Sequence, residues 1–256
     1  MKLDPNRRIK RGWMNLKIQS IKNECHDTKT LYFIDADEGG IPFDYIAGQY
    51  ITFRFDDVSE KPVVRSYTMS SSPRQTEVLA VTVKEVEDPF ISRLLVRDTA
   101  VDQIYRARGP IGKFVFEPES DEKHLVMIAG GSGVTPFISI MREYMDRLGT
   151  EGAPEEMTLL VSYRSKSDLI LWDDIEQINT HSHCRIVTTL SREDATHEGF
   201  WHGRIDSSMI SKLLDGNFKG KTFMTCGPEA IMDTAVACAK AHGVEERHIK
   251  TESFSS

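Results

Sequence analysis

Between Leu16 and about Glu117, apolar residues come in short runs separated by turn-forming residues. The runs Leu16–Ile21, Thr30–Ile34, Tyr50–Phe55, Val64–Met69, Glu77–Val86 and Gln103–Arg108 read as strands, and their spacing predicts a small β-barrel. One stretch inside this region, Pro89–Val96, is long enough for a single helix with proline in its first turn. After Pro118 the pattern changes. Apolar strands His124–Ala129, Met157–Tyr163, Arg185–Leu190 and Thr222–Cys226 alternate with amphipathic stretches, which predicts a parallel sheet with helices. The helix after the first of these strands is expected to open with Thr135 as N-cap and Pro136 at the first helical position. It would place Phe137, Ile140 or Met141, Tyr144 and Leu148 on one face. The acidic run Glu117–Glu122 marks the boundary, giving a basic extension over 1–12, a barrel domain over 13–118 and an α/β domain over 119–256.

A chain of 256 residues has room for two such cores. No run approaches the roughly 18 apolar residues of a membrane span. The first residues lack the apolar stretch of a secretory signal, so a soluble, cytoplasmic protein is expected. A net charge of −7 argues against nucleic acid as the main partner. The basic start (Lys2, Arg7, Arg8, Lys10, Arg11) is either a local docking patch or a solvated tail. Cys25, Cys184, Cys226 and Cys238 have no CxxC spacing, and no metal site is expected.

The segment Ala129-Gly-Gly-Ser-Gly-Val-Thr-Pro136 follows an apolar strand and opens a helix, where a backbone can approach a pyrophosphate and the helix N-terminus favours its charge. A tight turn would need the same glycines with nothing bound, and the spacing departs from GxGxxG.

Four motifs follow one another in order: Arg65-Ser-Tyr-Thr68, Gly109-Pro-Ile-Gly-Lys-Phe114, Ala129–Pro136 and Cys226-Gly-Pro228 with Met232. Together they resemble the ferredoxin–NADP reductase superfamily, in particular oxygenase reductase components and the reductase half of flavohaemoglobin. The resemblance covers nearly the whole chain. It implies an antiparallel flavin-binding barrel followed by a nucleotide-binding α/β domain, with FAD as the flavin and NADPH or NADH as the hydride donor.

By this resemblance Arg65 pairs with the flavin pyrophosphate, Tyr67 lies along the flavin ring and Thr68 offers its hydroxyl near the reacting nitrogen, with Ser66 beside them. Val81, Thr82, Val83 and Lys84, with Ser92 on the following helix, hold the rest of the flavin. Asp88-Pro89 departs from the family, which usually has glycine there. Gly131, Gly133, Thr135 and Pro136 cradle the dinucleotide, while Cys226, Gly227, Pro228 and Met232 lie at its nicotinamide end. Arg164, Ser191 and Arg192 are candidates for a ribose 2′-phosphate, and Asp168 for a 2′-hydroxyl or only a helix cap. Glu252-Ser-Phe254 resembles the place where the family supplies a glutamate and an aromatic near the flavin, with Phe254 shielding it or an acceptor domain lying on a separate chain. The implied activity is transfer of a hydride from NAD(P)H to FAD and of single electrons to a ferredoxin or oxygenase component. The reverse, ferredoxin-driven NADP reduction, and a regulatory flavin- and nucleotide-binding subunit are the alternatives.

Overall fold

The computed structural model describes residues 10, 12–56, 58–86 and 90–254. The chain divides into two compact units, with the break between Val115 and Phe116.

The first unit is an antiparallel sheet of β1 (Met14–Cys25), β2 (Thr28–Asp35), β3 (Tyr50–Phe55), β4 (Val63–Thr68), β5 (Leu79–Lys84) and β6 (Ile104–Ile111), in the order β4-β3-β6-β1-β2-β5. Alternation explains how each strand sits. In β3, Ile51, Phe53 and Phe55 point inward while Tyr50, Thr52 and Arg54 are partly exposed. The two end strands meet where Met69 bridges Val81 and the Ser70 amide donates to Ala80 O at 2.8 Å, which closes the sheet on itself. Inside, Phe33 and Phe53 lie 5.1 Å apart and are almost wholly buried. Truncating either would cost about 3–5 kcal/mol. The single helical segment is irregular, an α-turn α1 (Phe90–Arg93) continuing as a π-helical turn over Leu94–Asp98 that buries Leu95 and Val96. Pro89 and Asp88, expected at its start, lie outside the described residues.

The second unit is a parallel sheet of β7 (His124–Gly130), β8 (Glu156–Tyr163), β9 (Cys184–Leu190), β10 (Trp201–His202), β11 (Lys221–Cys226) and β12 (Ile249–Glu252), in the order β10-β9-β8-β7-β11-β12. Helices α2 (Thr135–Tyr144), α3 (Trp172–Ile178), α4 (Ser207–Leu213) and α5 (Glu229–Ala241) connect and cover it. The chain runs from β7 outward through β8, β9 and β10, then returns to place β11 on the other side of β7. Strand order therefore reverses between β7 and β11, and ligands of open α/β sheets bind at the carboxyl ends of such a pair.

Three expectations need correction. A 3-10 turn, Gly131–Val134, runs straight into α2, so Val134 is the N-cap and Thr135 is already helical. The Thr135 hydroxyl donates backward to Ser132 O at 2.9 Å instead of capping. Helix α2 ends at Tyr144, so Leu148 lies beyond it, although Phe137, Ile140, Met141 and Tyr144 are buried as one face. The strand expected over Glu77–Val86 shrinks to Leu79–Lys84, because residues 71–78 form turns in which the Ser71 and Ser72 hydroxyls bond to backbone.

Candidate functional site

Two places in the molecule gather the expected residues, one in each unit. In the first, Arg65, Ser66, Tyr67 and Thr68 occupy β4, which pairs with β3 along one edge only. Past the Met69–Val81 bridge, β5 pairs with β2 alone, so the facing edges of β4 and β5 carry no ladder among the described residues. Arg65 is exposed, donates only to the neighbouring Val64 O at 2.9 Å, and has no carboxylate partner among the described residues. A guanidinium so placed suits a pyrophosphate. Tyr67 is half-buried against the barrel core, its ring 6.2 Å from that of Phe53. Burial pushes its phenol up, only partly offset by the Arg65 charge, so Tyr67 keeps its proton. Ser66 shares a hydrogen bond with Thr52 at 2.8 Å. Thr68 is 6% exposed, and its hydroxyl has no hydrogen-bond partner among the described residues.

The remaining barrel residues are occupied differently than expected. Val81 and Val83 are core. Thr82 sits in a buried chain of hydroxyls, 2.9 Å from both Thr30 and Ser70. Lys84 donates to Asp27 at 2.5 Å, and the Ser92 hydroxyl accepts the Val86 amide at 3.2 Å. The side-chain contacts of β5 therefore hold the barrel together. The hydroxyls of Ser70 and Ser71, the latter 2.8 Å from Tyr45 OH, were missed by the strand pattern. The signal for them was the run Ser70-Ser71-Ser72 directly after a strand, buried throughout. The basic start is represented by Lys10, whose ammonium lies 2.7 Å from the buried carboxylate of Asp35; Lys2, Arg7, Arg8 and Arg11 are outside the described residues.

In the second unit, the turn after β7 meets the turn after β11. A Cβ on Gly133 would lie 2.2 Å from the Cys226 carbonyl oxygen, so glycine there is demanded by contact between two backbones. Gly131 is different. It has φ of 54°, and a Cβ on it would meet nothing within 4 Å, leaving open space beside the turn that leads into α2. A backbone open at a helix entrance fits a dinucleotide phosphate. Thr135 and Pro136 are buried in the first turn of α2, and the Met232 amide donates to Pro228 O at 3.2 Å as α5 begins.

Cys226 is fully buried at the end of β11, in register with Glu252 of β12. Burial pushes its thiol well up, and the Glu252 carboxylate adds to the effect, so Cys226 is a neutral thiol. Burial likewise raises the carboxyl of Glu252. Phe254 is 44% exposed. At the neighbouring strand ends, the Arg192 amide donates to Arg164 O at 2.8 Å and the Ser191 amide to Tyr163 O at 2.9 Å. Two exposed arginines without carboxylate partners among the described residues thus stand just past the ends of adjacent strands. Asp168 is taken up in a capping box, accepting from the Ser165 amide at 3.1 Å and from its hydroxyl at 2.5 Å. Among the described residues, no helix is long and apolar enough to cross a membrane.

Comparison with known proteins agrees with this division. An oxidoreductase FAD-binding domain matches residues 15–116, and an oxidoreductase NAD-binding domain matches residues 127–237. The glycine betaine monooxygenase reductase subunit of Chromohalobacter salexigens is 27% identical over 96% of this chain and 65% of its own length. An NADH-cytochrome b5 reductase 2 of Aspergillus clavatus is 33% identical over 66% of this chain and 51% of its own. The chain thus spans about half to two-thirds of the length of these relatives. The flavohaem-like FAD/NAD-binding domain of nitric oxide dioxygenase from Vibrio cholerae shares the fold, with a TM-score of 0.82, 20% identity, and coverage of 95% of this chain and 99% of that one. A barrel with an open β4 edge, a parallel sheet reversing at a glycine turn, and these matches in the same order identify the chain as an FAD- and NAD-binding oxidoreductase of the ferredoxin–NADP reductase superfamily.

Proposed function

We propose that this chain is a reductase that takes a hydride from NAD(P)H onto bound FAD and passes electrons singly to a separate protein acceptor, such as a ferredoxin or an oxygenase component. The observation that carries the reading is Arg65: a guanidinium without a carboxylate partner among the described residues, on a strand edge left unpaired, within an FAD-binding domain. The oxygenase reductase named among the relatives supports the choice of acceptor class.

Bound FAD supplies the hydride acceptor and the site from which electrons leave one at a time. The chain's own residues bind and orient. Arg65 takes the pyrophosphate, Tyr67 packs its protonated ring along the flavin, and Thr68 offers a hydroxyl that no described residue uses. On the nucleotide side, Gly131 and the start of α2 take the dinucleotide phosphates, while Pro228 and Met232 border the nicotinamide end with Cys226 and Gly227. The Cys226 thiol holds its proton through the working pH range and fills space against the ring as a neutral, polarisable group. Arg164 and Arg192, with Ser191, give a ribose 2′-phosphate a place to bind, which favours acceptance of NADPH.

The test is anaerobic mixing of the flavin-loaded protein with NADH and, separately, NADPH while visible absorption is followed. Rapid bleaching by either supports the reading, and the ratio of the two rates reports whether the arginines are used. A protein that takes up no flavin, or whose flavin neither nucleotide bleaches, would overturn it.

A further inference from the structure

At the amino-terminal edge of the parallel sheet, opposite the glycine turn, lies a cavity of about 360 Å3. That volume is within the range of small-ligand pockets. Its floor is a row in which three strands stand in register, with Lys221 of β11, His124 of β7 and Glu156 of β8 side by side. Arg185 of β9 and the loop after α4, with Asp215 and Asn217, form the wall.

Lys221 is only 9% exposed, yet among the described residues no carboxylate pairs with its ammonium and no side-chain hydrogen bond uses it. The stem of Lys221 is covered while its ammonium opens into the cavity, where an anion can meet it without displacing a partner. The cavity's own carboxylates do not do this. Glu156 is directed at His124 Nδ1, 3.1 Å away, and Asp215 stands exposed on its loop. Arg185 is steadied by donating one Nη1 hydrogen to Leu213 O at 2.8 Å, leaving its other N–H groups without a partner among the described residues. His124 is fixed as well, its Nε2 lying 3.0 Å from the Thr158 hydroxyl.

We propose that this cavity is a second ligand site, which binds a small oxyanion, phosphoryl or carboxylate, through Lys221 with Arg185 as the second donor. Glu156, Asp215 and Asn217 face the remaining space and suit hydroxyl groups, so the ligand class is a small hydroxylated phosphate or carboxylate. The site is built at the edge of the sheet opposite the glycine turn and does not depend on the reductase reading.

His124 supplies a reporter. Burial, and then the Lys221 charge, hold its imidazole below the ordinary range, against the pull of Glu156. His183 and Arg185 are the other basic groups that line the cavity. An anion on Lys221 removes the second cause, so His124 must titrate at higher pH when the site is filled.

The test compares thermal unfolding of the full chain in sodium phosphate, sodium acetate and sodium chloride at matched ionic strength, together with the NMR titration of His124. Phosphate should raise the wild-type midpoint saturably above chloride and move the His124 titration upward. Lys221→Met should weaken that response by about tenfold or more, the loss expected for one charge-assisted contact. Without phosphate the same variant should keep its unfolding midpoint close to that of the wild type, because the ammonium it removes meets solvent in the cavity and has no partner among the described residues. Phosphate bound at Arg164 and Arg192 acts equally on both proteins, so the difference between them isolates the cavity. If Lys221→Met does not fold, Arg185→Gln, at an exposed position, should weaken the response. A larger effect of phosphate than acetate identifies a phosphoryl ligand, and the reverse a carboxylate. An identical phosphate response in wild type and variants, or an unmoved His124 titration, would overturn the proposal.

Discussion

The barrel and the parallel sheet prepare their candidate sites by opposite means. On β4 the useful groups are side chains, Arg65, Tyr67 and Thr68, displayed on an edge that the sheet leaves unpaired. At the turn after β7 the useful group is backbone, and side chains are kept away: Gly133 lies against the Cys226 carbonyl so closely that no Cβ fits, and Gly131 leaves space open. In the barrel, site and fold are separable at Arg65, which is exposed and does little for packing, while Tyr67 and Thr68 serve both. In the sheet they are one object, since the contact that shapes the turn also holds β7 and β11 together at their ends.

Substitutions can break or sharpen this contrast. The largest effect is expected from Gly133→Ala. A Cβ 2.2 Å from a backbone oxygen cannot be relieved by a rotamer change, so denaturant unfolding should show a loss of about 3 kcal/mol or more. A loss near zero would mean that the two turns part easily and that fold and site are separable here too. Next comes Arg65→Ala. Its fold stability should stay within about 0.5 kcal/mol of wild type, as for an ordinary surface change. Flavin affinity, read by fluorescence titration, should fall roughly tenfold to a hundredfold. A destabilised apoprotein with unchanged affinity would reverse the contrast.

A smaller effect is expected where the barrel does couple side chains to fold. Ser70→Ala leaves Thr82 with one partner fewer in the buried hydroxyl chain and should cost about 1–2 kcal/mol in denaturant unfolding. The smallest concerns Glu252. Its carboxyl is raised in the folded state by burial, so the folded protein holds that proton more tightly than the unfolded chain. Its contribution is most favourable below the ordinary carboxylate range and is lost as pH rises through the folded value. Glu252→Gln should therefore raise the unfolding midpoint slightly at pH 7 and leave it unchanged in acid, and a fall at pH 7 would show that the carboxylate has a partner.

Much of this was legible in the sequence because period and punctuation coincide with structure. The alternation in Tyr50–Phe55 and the apolar run in Met157–Tyr163 each fall on an observed strand. Strands β10 and β12, of two and four residues, are too short for any period to reveal, yet β12 is the one that sets Glu252 beside Cys226. The contact of Gly133 with the Cys226 carbonyl was hidden for a similar reason. A glycine-rich turn announces close approach, but it does not say whether the visitor is a phosphate or another stretch of the same chain. Thr82 and Lys84 read as flavin contacts by resemblance alone, and each bonds to a neighbour that only three-dimensional pairing supplies, while Asp168, legible as a ribose contact or a helix cap, is in the cap. Lys221 gave no signal at all, since nothing local marks a strand lysine as buried and unpaired.

The insertion of β11 beside β7 also bears on how the protein comes to exist. The surface against which Gly133 closes belongs to residues made long after it, separated by the whole of β8, β9, β10 and α4. Contacts of such sequence separation are late and slow to form. On the ribosome, the barrel can complete all its pairings while β7 still presents a bare hydrophobic edge, with its glycine turn unformed. That edge is the point at which a nascent or truncated chain would be open to chaperones, to proteases and to pairing with another copy, until β11 arrives and converts an exposed strand into the centre of a sheet.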